Sequence, residues 1–175
     1  WDIGDISQPL KSYIEQLSNK NLRILIPGAG NAHEARFLAE KGFKNVFVLD
    51  FAEEPLSKFK KQNPAFPASQ IIQQNFFEHT GEYDLILEQT FFCAIDPELR
   101  TDYVRHMEQL LTHAGKLVGV LFNDTLNTDK PPFGGNKKEY EGLFKEDFNI
   151  KKMELCYNSI KPRYGRELFI IMQKS

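Results

Sequence analysis

Two short apolar runs, each closed by residues unsuited to core packing, constrain this chain more than any other feature. Residues 23–27 read Arg-Ile-Leu-Ile-Pro and run into Gly28-Ala29-Gly30-Asn31; residues 45–49 read Asn-Val-Phe-Val-Leu and end at Asp50. Apolar runs of this length predict strands covered on both faces, as in a parallel sheet between helices. The stretch 32–41 between them has helical periodicity, with Ala35, Leu38 and Ala39 on its inner face and Gly42 as its stop. Strand, helix and strand in this order make a right-handed crossover, which requires the two strands to end side by side.

The alternation continues to the end of the chain. A helix over 52–62 carries Glu53 and Glu54 in its first turn, where the helix dipole favours them, and the prolines of 63–67 make a loop. Strands are expected at 70–74, 83–88 and 116–122, a helix opened by Pro97 and reaching Leu111, and a helix over 138–145. Two last strands, near 148–156 and 167–172, have too few residues between them for a helical crossover, so they should pair antiparallel at the sheet edge. The expectation is one α/β domain over 1–175: a doubly wound, mostly parallel seven-stranded sheet with an antiparallel C-terminal hairpin. The loop 123–136, containing Pro131-Pro132-Phe133-Gly134-Gly135, is longer than a plain connection needs, and such loops are often functional.

Composition matters mainly for what it excludes. A net charge of −2 gives no general attraction for nucleic acid or an anionic membrane, and no apolar run approaches the roughly 18 residues of a membrane span. Cys93 and Cys156 are far apart and lack metal-ligand spacing, which indicates a reducing, cytoplasmic setting and no metal. The four histidines, His33, His79, His106 and His113, show no ligand spacing either, and solvated surface is expected for most of them. The Lys58, Lys60 and Lys61 group reads as an exposed helix face. The chain opens at Trp1 without an initiator Met, which suggests a longer natural N-terminus. Oligomeric state stays open, and a monomer is compatible with the composition.

Chemistry enters at the two strand ends. Gly28 and Gly30 let backbone approach a ligand lying across the sheet edge at a helix N-terminus, and Asp50, twenty residues beyond Gly30, can accept from both ribose hydroxyls of an adenosine. The alternative is a tight turn with Asp50 capping the next helix. A dinucleotide site wants a small residue where this chain has His33, and a dehydrogenase normally needs a further substrate domain. Both points favour S-adenosylmethionine over NAD.

The segments Trp1-Asp2-Ile3-Gly4, Ile26-Pro27-Gly28-Ala29-Gly30, Val48-Leu49-Asp50, Phe91-Phe92-Cys93-Ala94-Ile95 and Pro131-Pro132-Phe133 together resemble the thiopurine S-methyltransferase family, nearest its halide and thiol methyltransferase branch. The resemblance covers nearly the whole chain, in order. It implies a class I methyltransferase fold, S-adenosylmethionine as cofactor with S-adenosylhomocysteine as product, and a small-molecule acceptor. It also implies roles. Trp1 packs near the methionine end of the cofactor, Gly28 approaches the methionine moiety, and Asp50, with Phe51 beside it, holds the ribose. Asn75 and Phe76 flank the adenine, Asn75 standing where many members have an acidic residue. Gln89 lies near the sulfonium, where others often have an aromatic. Arg100 matches a family arginine placed near the acceptor. Tryptophans that precede Trp1 in relatives are absent here.

Methyl transfer from a sulfonium is an in-line displacement that needs alignment and exclusion of water more than a covalent intermediate. Phe91, Phe92, Phe133 and Tyr140 are candidates to wall a dry acceptor pocket, with core packing the alternative for each. Arg100 can favour an anionic acceptor. A thiol or halide acceptor is the first reading. An amine or carboxylate acceptor, a non-catalytic nucleoside binder and an NAD-dependent oxidoreductase are the alternatives. Cys93 is read as a buried, inert thiol.

Overall fold

In the computed structural model, which describes residues 2–175, the chain enters through a helix that periodicity does not assign, α1 (Gln8–Glu15). Its signals are short: Pro9 in the first turn, and Leu10 and Ile14 one turn apart and both buried. The two apolar runs follow as β1 (Ile24–Pro27) and β2 (Val46–Asp50), joined by α2 (His33–Glu40). They pair in parallel, with Pro27 opposite Leu49, so Gly28 and Asp50 leave the sheet at the same edge.

The remaining elements are α3 (Glu53–Gln62), β3 (Ile71–Gln73), β4 (Tyr83–Gln89), α4 (Arg100–Leu110), β5 (Leu111–Phe122), α5 (Lys137–Phe144), β6 (Phe148–Leu155) and β7 (Glu167–Lys174). Strand order is 3-2-1-4-5-7-6. The first five strands are parallel, and β7 runs antiparallel between β5 and β6. The expected terminal hairpin is therefore present, with its second strand inserted beside β5. Strand β5 starts five residues earlier than the apolar pattern indicates, with a register shift against β4 and Ala114 at φ +62°.

Alternate residues of each strand feed two cores. Ile24, Ile26, Val46 and Val48 meet Leu10, Ala35, Leu38 and Phe59 of α1, α2 and α3. Leu25, Ile86, Leu117 and Ile170 meet Tyr103, Met107 and Phe144 of α4 and α5 on the opposite face. Each such fully buried large side chain contributes about 1.5–3 kcal/mol. This three-layer arrangement leaves one natural crevice. Chain order reverses between β1, which leads outward to β2 and β3, and β4, which leads the other way, and ligands of open α/β sheets bind outside the strand ends at such a point.

The histidine expectation needs correction. Only His113 is exposed; His33 and His106 are half-buried and His79 is buried. The short β3–β4 connection folds back on the sheet, so His79 is held between Gln74 Oε1 (2.9 Å) and the Tyr83 hydroxyl (2.7 Å), and burial lowers its pKa.

Candidate active site

The turn after β1 alternates into left-handed backbone at Gly28 (φ +60°), Gly30 (φ +55°) and Ala32 (φ +54°). Gly28 is required twice over. Its φ disfavours a side chain, and a Cβ there would lie 2.1 Å from Cδ1 of Phe91, whose ring occupies that space. Asp50 joins the two strand ends: its Oδ2 accepts from the Gly30 N–H (3.0 Å) and its Oδ1 from the Ala52 N–H (3.0 Å). A cavity of about 410 Å³ opens here, lined by Gly28, Gly30, Asn31, Gln89, Thr90 and the N-terminal Asp2.

The N-terminal segment crosses this cavity through Asp2, whose carboxylate accepts from the Asn31 amide and the Gly4 N–H (2.8 Å) and meets His33 Nε2 at 3.0 Å. Burial pushes its pKa up, but the Gly4 N–H, Asn31 and His33 together outweigh that and lower it. Glu34, buried in the first turn of α2, is shifted upward by burial. Trp1, expected beside the cofactor, lies outside the described residues.

The end of β4 forms the opposite wall. Gln89 has a buried Oε1 that lacks a hydrogen-bond partner among the described residues, in a side chain that lines the cavity. Thr90 follows at φ +56°. Glu88, a residue that sequence reading passes over, is fully buried and accepts from the Phe91 N–H (2.9 Å), the Phe92 N–H (3.0 Å) and the Tyr103 hydroxyl (2.5 Å). Burial raises its pKa to about 7 against the pull of those three donors. The available signal was a carboxylate directly after the apolar run Leu85-Ile86-Leu87, a position where only a satisfied partner set makes burial tolerable.

A narrow cavity of about 10 Å³ shares Gln89 and Thr90 with the first and continues to Phe122. Beyond Phe122 the loop 123–136 borders a second large cavity of about 520 Å³, open to solvent and lined by Asn123, Asp124, Asn127, Phe133, Gly135 and Asn136 among others. The loop is pinned at several points. Phe133 N–H donates to Cys93 O (2.7 Å), Gly135 N–H to Asp124 O (3.0 Å), and Arg166 Nε to the Asp124 carboxylate (2.5 Å). Arg100 holds it from below: its guanidinium donates to Gly134 O (2.8 Å) and Glu139 Oε1 (2.6 Å) and lies 4.5 Å from the Phe92 ring centroid.

The sequence-derived residues thus divide. Gly28, Gly30 and Gln89 share the donor-side cavity, and Asp50 reaches it through Gly30. Phe51, exposed, and Asn75 stand at the neighbouring ends of β2 and β3 outside its lining; the Asn75 side chain caps a short turn by accepting from Phe77 N–H (2.9 Å). Phe76 is buried among Phe77, Phe91, Tyr103 and His106. Of the proposed acceptor wall, Phe133 lines the loop cavity and Phe91 is seated on Gly28. Phe92 and Tyr140 belong to the core, their ring centroids 5.5 Å apart, with the Tyr140 hydroxyl donating to Phe122 O (2.7 Å). Arg100 is buried and committed to Glu139 and Gly134. Cys93 is a buried free thiol pushed up to about 12 by burial, as its inert reading requires.

Strand order and the reversed last strand, with a glycine turn facing a carboxylate at the switch point, define the class I methyltransferase fold. The same fold is seen in a TehB-like S-adenosylmethionine-dependent methyltransferase from Corynebacterium glutamicum, with TM-score 0.75 at 12% identity over 95% of this chain and 88% of that one. Residues 1–169 match the family model of thiopurine S-methyltransferases, and the chain belongs to that family. Among its relatives are a probable thiol methyltransferase 2 of Arabidopsis thaliana, 28% identical, and thiocyanate methyltransferase 1 of the same plant, 27% identical. Each alignment covers 95% of this chain and 76% of the relative. The chain is an enzyme that takes S-adenosylmethionine as methyl donor and releases S-adenosylhomocysteine.

Proposed function

We propose that the acceptor is a small soft nucleophile, a thiol, thiocyanate or halide. One observation carries this: the lining of the loop cavity, among the described residues, includes no histidine, and its one carboxylate, Asp124, is tied to Arg166. An acceptor that had to lose a proton during attack finds no base there, whereas a thiolate or halide needs none. The names of the two plant relatives point the same way.

When bound, S-adenosylmethionine supplies a methyl group activated by a sulfonium. The residues fit it. Gly28 and Gly30 would admit its chain closely, Asp50 would offer its carboxylate, now on the Gly30 and Ala52 N–H groups, to the ribose hydroxyls, and the Gln89 oxygen, without a partner among the described residues, would supply negative charge density for the sulfonium. Asn75 and Phe51, at the neighbouring strand ends, would border the adenine. Phe91 and Phe133 exclude water, and positioning of this kind supplies several kcal/mol. Arg100 shapes the acceptor cavity by holding Gly134 and Glu139. The free thiols Cys93 and Cys156 support a cytoplasmic site of action, and no described helix is long and apolar enough to cross a membrane.

The test is release of S-adenosylhomocysteine with a panel of acceptors: iodide, thiocyanate, bisulfide and an aromatic thiol against primary amines and carboxylic acids. Turnover with the first group is expected. Turnover confined to amines or carboxylic acids overturns the proposal.

A further inference from the structure

We propose that Glu88 is a positioning residue for methyl transfer: its carboxylate fixes the turn that seats Phe91 on Gly28 and delivers Gln89 and Thr90 to the donor cavity. The inference rests on that cavity being the S-adenosylmethionine site. Glu88 stands next to last in β4 at the centre of the sheet, where Gly119 of β5 leaves room for it; a Cβ on Gly119 would come to 2.5 Å from the Glu88 Cβ. Its two oxygens meet three donors, the N–H groups of Phe91 and Phe92 and the Tyr103 hydroxyl. That set suits the anion. A neutral carboxyl can keep all three contacts only by donating its own O–H to the Tyr103 oxygen, and the buried Tyr103 hydrogen then loses this acceptor.

The turn needs this support because Thr90 is left-handed without being glycine, a conformation that persists only where its surroundings over-determine it. The residues on either side of it are the functional ones. Gln89 carries an oxygen without a partner among the described residues, and the Phe91 ring fills the space a Gly28 side chain would take. The Phe91 ring is steadied further by Phe76, at 5.1 Å between centroids, and by Tyr103, at 6.0 Å. A loosened turn therefore reaches the cofactor through Phe91 and Gly28, although Glu88 itself touches nothing in the cavity.

Ionisation of Glu88 falls near neutrality, since burial raises it to about 7. Burial pushes the hydroxyls of Tyr103 on α4 and Tyr140 on α5 upward and the Cys93 thiol to about 12. Arg163 and Glu167, which line the narrow cavity with Glu88, pair with each other at 3.3 Å, and Arg100 pairs with Glu139. The turn is thus expected to be tight above about pH 7 and slack below it.

The experiment titrates S-adenosylhomocysteine into the full chain by calorimetry between pH 5.5 and 8.5. For wild type the affinity falls by about tenfold from pH 8 to pH 6, as one required ionisation centred near pH 7 dictates. Glu88→Gln is expected to bind weakly at pH 8, near the wild-type level at pH 6, with no dependence over this range. Tyr103→Phe removes a donor that favours the anion, so the midpoint moves upward, and this variant serves if Glu88→Gln does not fold. A profile that survives in Glu88→Gln belongs to another group and overturns the inference, as does a midpoint unmoved in Tyr103→Phe. Binding that is flat with pH in wild type overturns the inference alone. No binding at any pH overturns the cofactor site with it.

Discussion

Replacing Gly28 by alanine adds one methyl group at the point where the two halves of the site touch. Two costs follow from the geometry. The backbone there has φ +60°, where an L side chain costs about 1–2 kcal/mol. The new Cβ would also sit 2.1, 2.5 and 2.9 Å from three atoms of Phe91, so the ring must leave its place. Overpacking of this kind typically costs about 1–3 kcal/mol. Together the expected loss is about 2–5 kcal/mol of stability, with S-adenosylhomocysteine affinity falling at least tenfold as Phe91 is displaced. Gly30→Ala is the internal control, because it has φ +55° and nothing within 4 Å of its Cβ, so it carries the backbone cost alone. Urea denaturation followed by circular dichroism gives the stabilities and calorimetry the affinities. Adding Phe91→Ala to Gly28→Ala should recover most of the steric part and none of the backbone part. Equal losses in Gly28→Ala and Gly30→Ala, or no recovery in the double variant, would refute the contact as described.

Asp50→Ala removes the acceptor for Gly30 and Ala52 and for the ribose, and calorimetry should show S-adenosylhomocysteine binding weakened by about 1–3 kcal/mol. Arg100→Ala frees Gly134 and the half-exposed Glu139, so the acceptor KM should rise while S-adenosylhomocysteine affinity stays within about twofold; loss of cofactor binding instead would misplace Arg100. Because the folded pKa of Glu88 lies above its unfolded value, the unfolded chain releases this proton first as pH rises. Stability from this group is therefore full below about pH 4.5 and is lost as pH climbs to about 7, by an amount on the order of 3 kcal/mol. Urea midpoints for wild type and Glu88→Gln should diverge across that window, and parallel curves would contradict the buried carboxylate.

The donor half of the site was legible because its information is local. Gly28-Ala29-Gly30 and Asp50 each end a strand whose apolar run fixes its direction, and a right-handed crossover leaves one way for two such strands to pair. Periodicity located all seven strands for the same reason, erring only at ends such as the start of β5, where the residues after Leu111 carry no apolar alternation. It missed α1, whose eight residues give two turns and too little pattern. What the sequence could not decide was which side chain meets which across the sheet. Whether Phe92 and Tyr140 face a ligand or each other, whether Arg100 is free or bound to Glu139, and whether Glu88 finds three donors all depend on residues between 3 and 48 positions away. A sequence by itself dictates where a strand begins, what ends it and which face is apolar, because those follow from backbone chemistry and spacing. Partnerships between buried polar groups exist only once the layers have packed, since burial is what makes an unpaired charge costly enough to demand a specific partner.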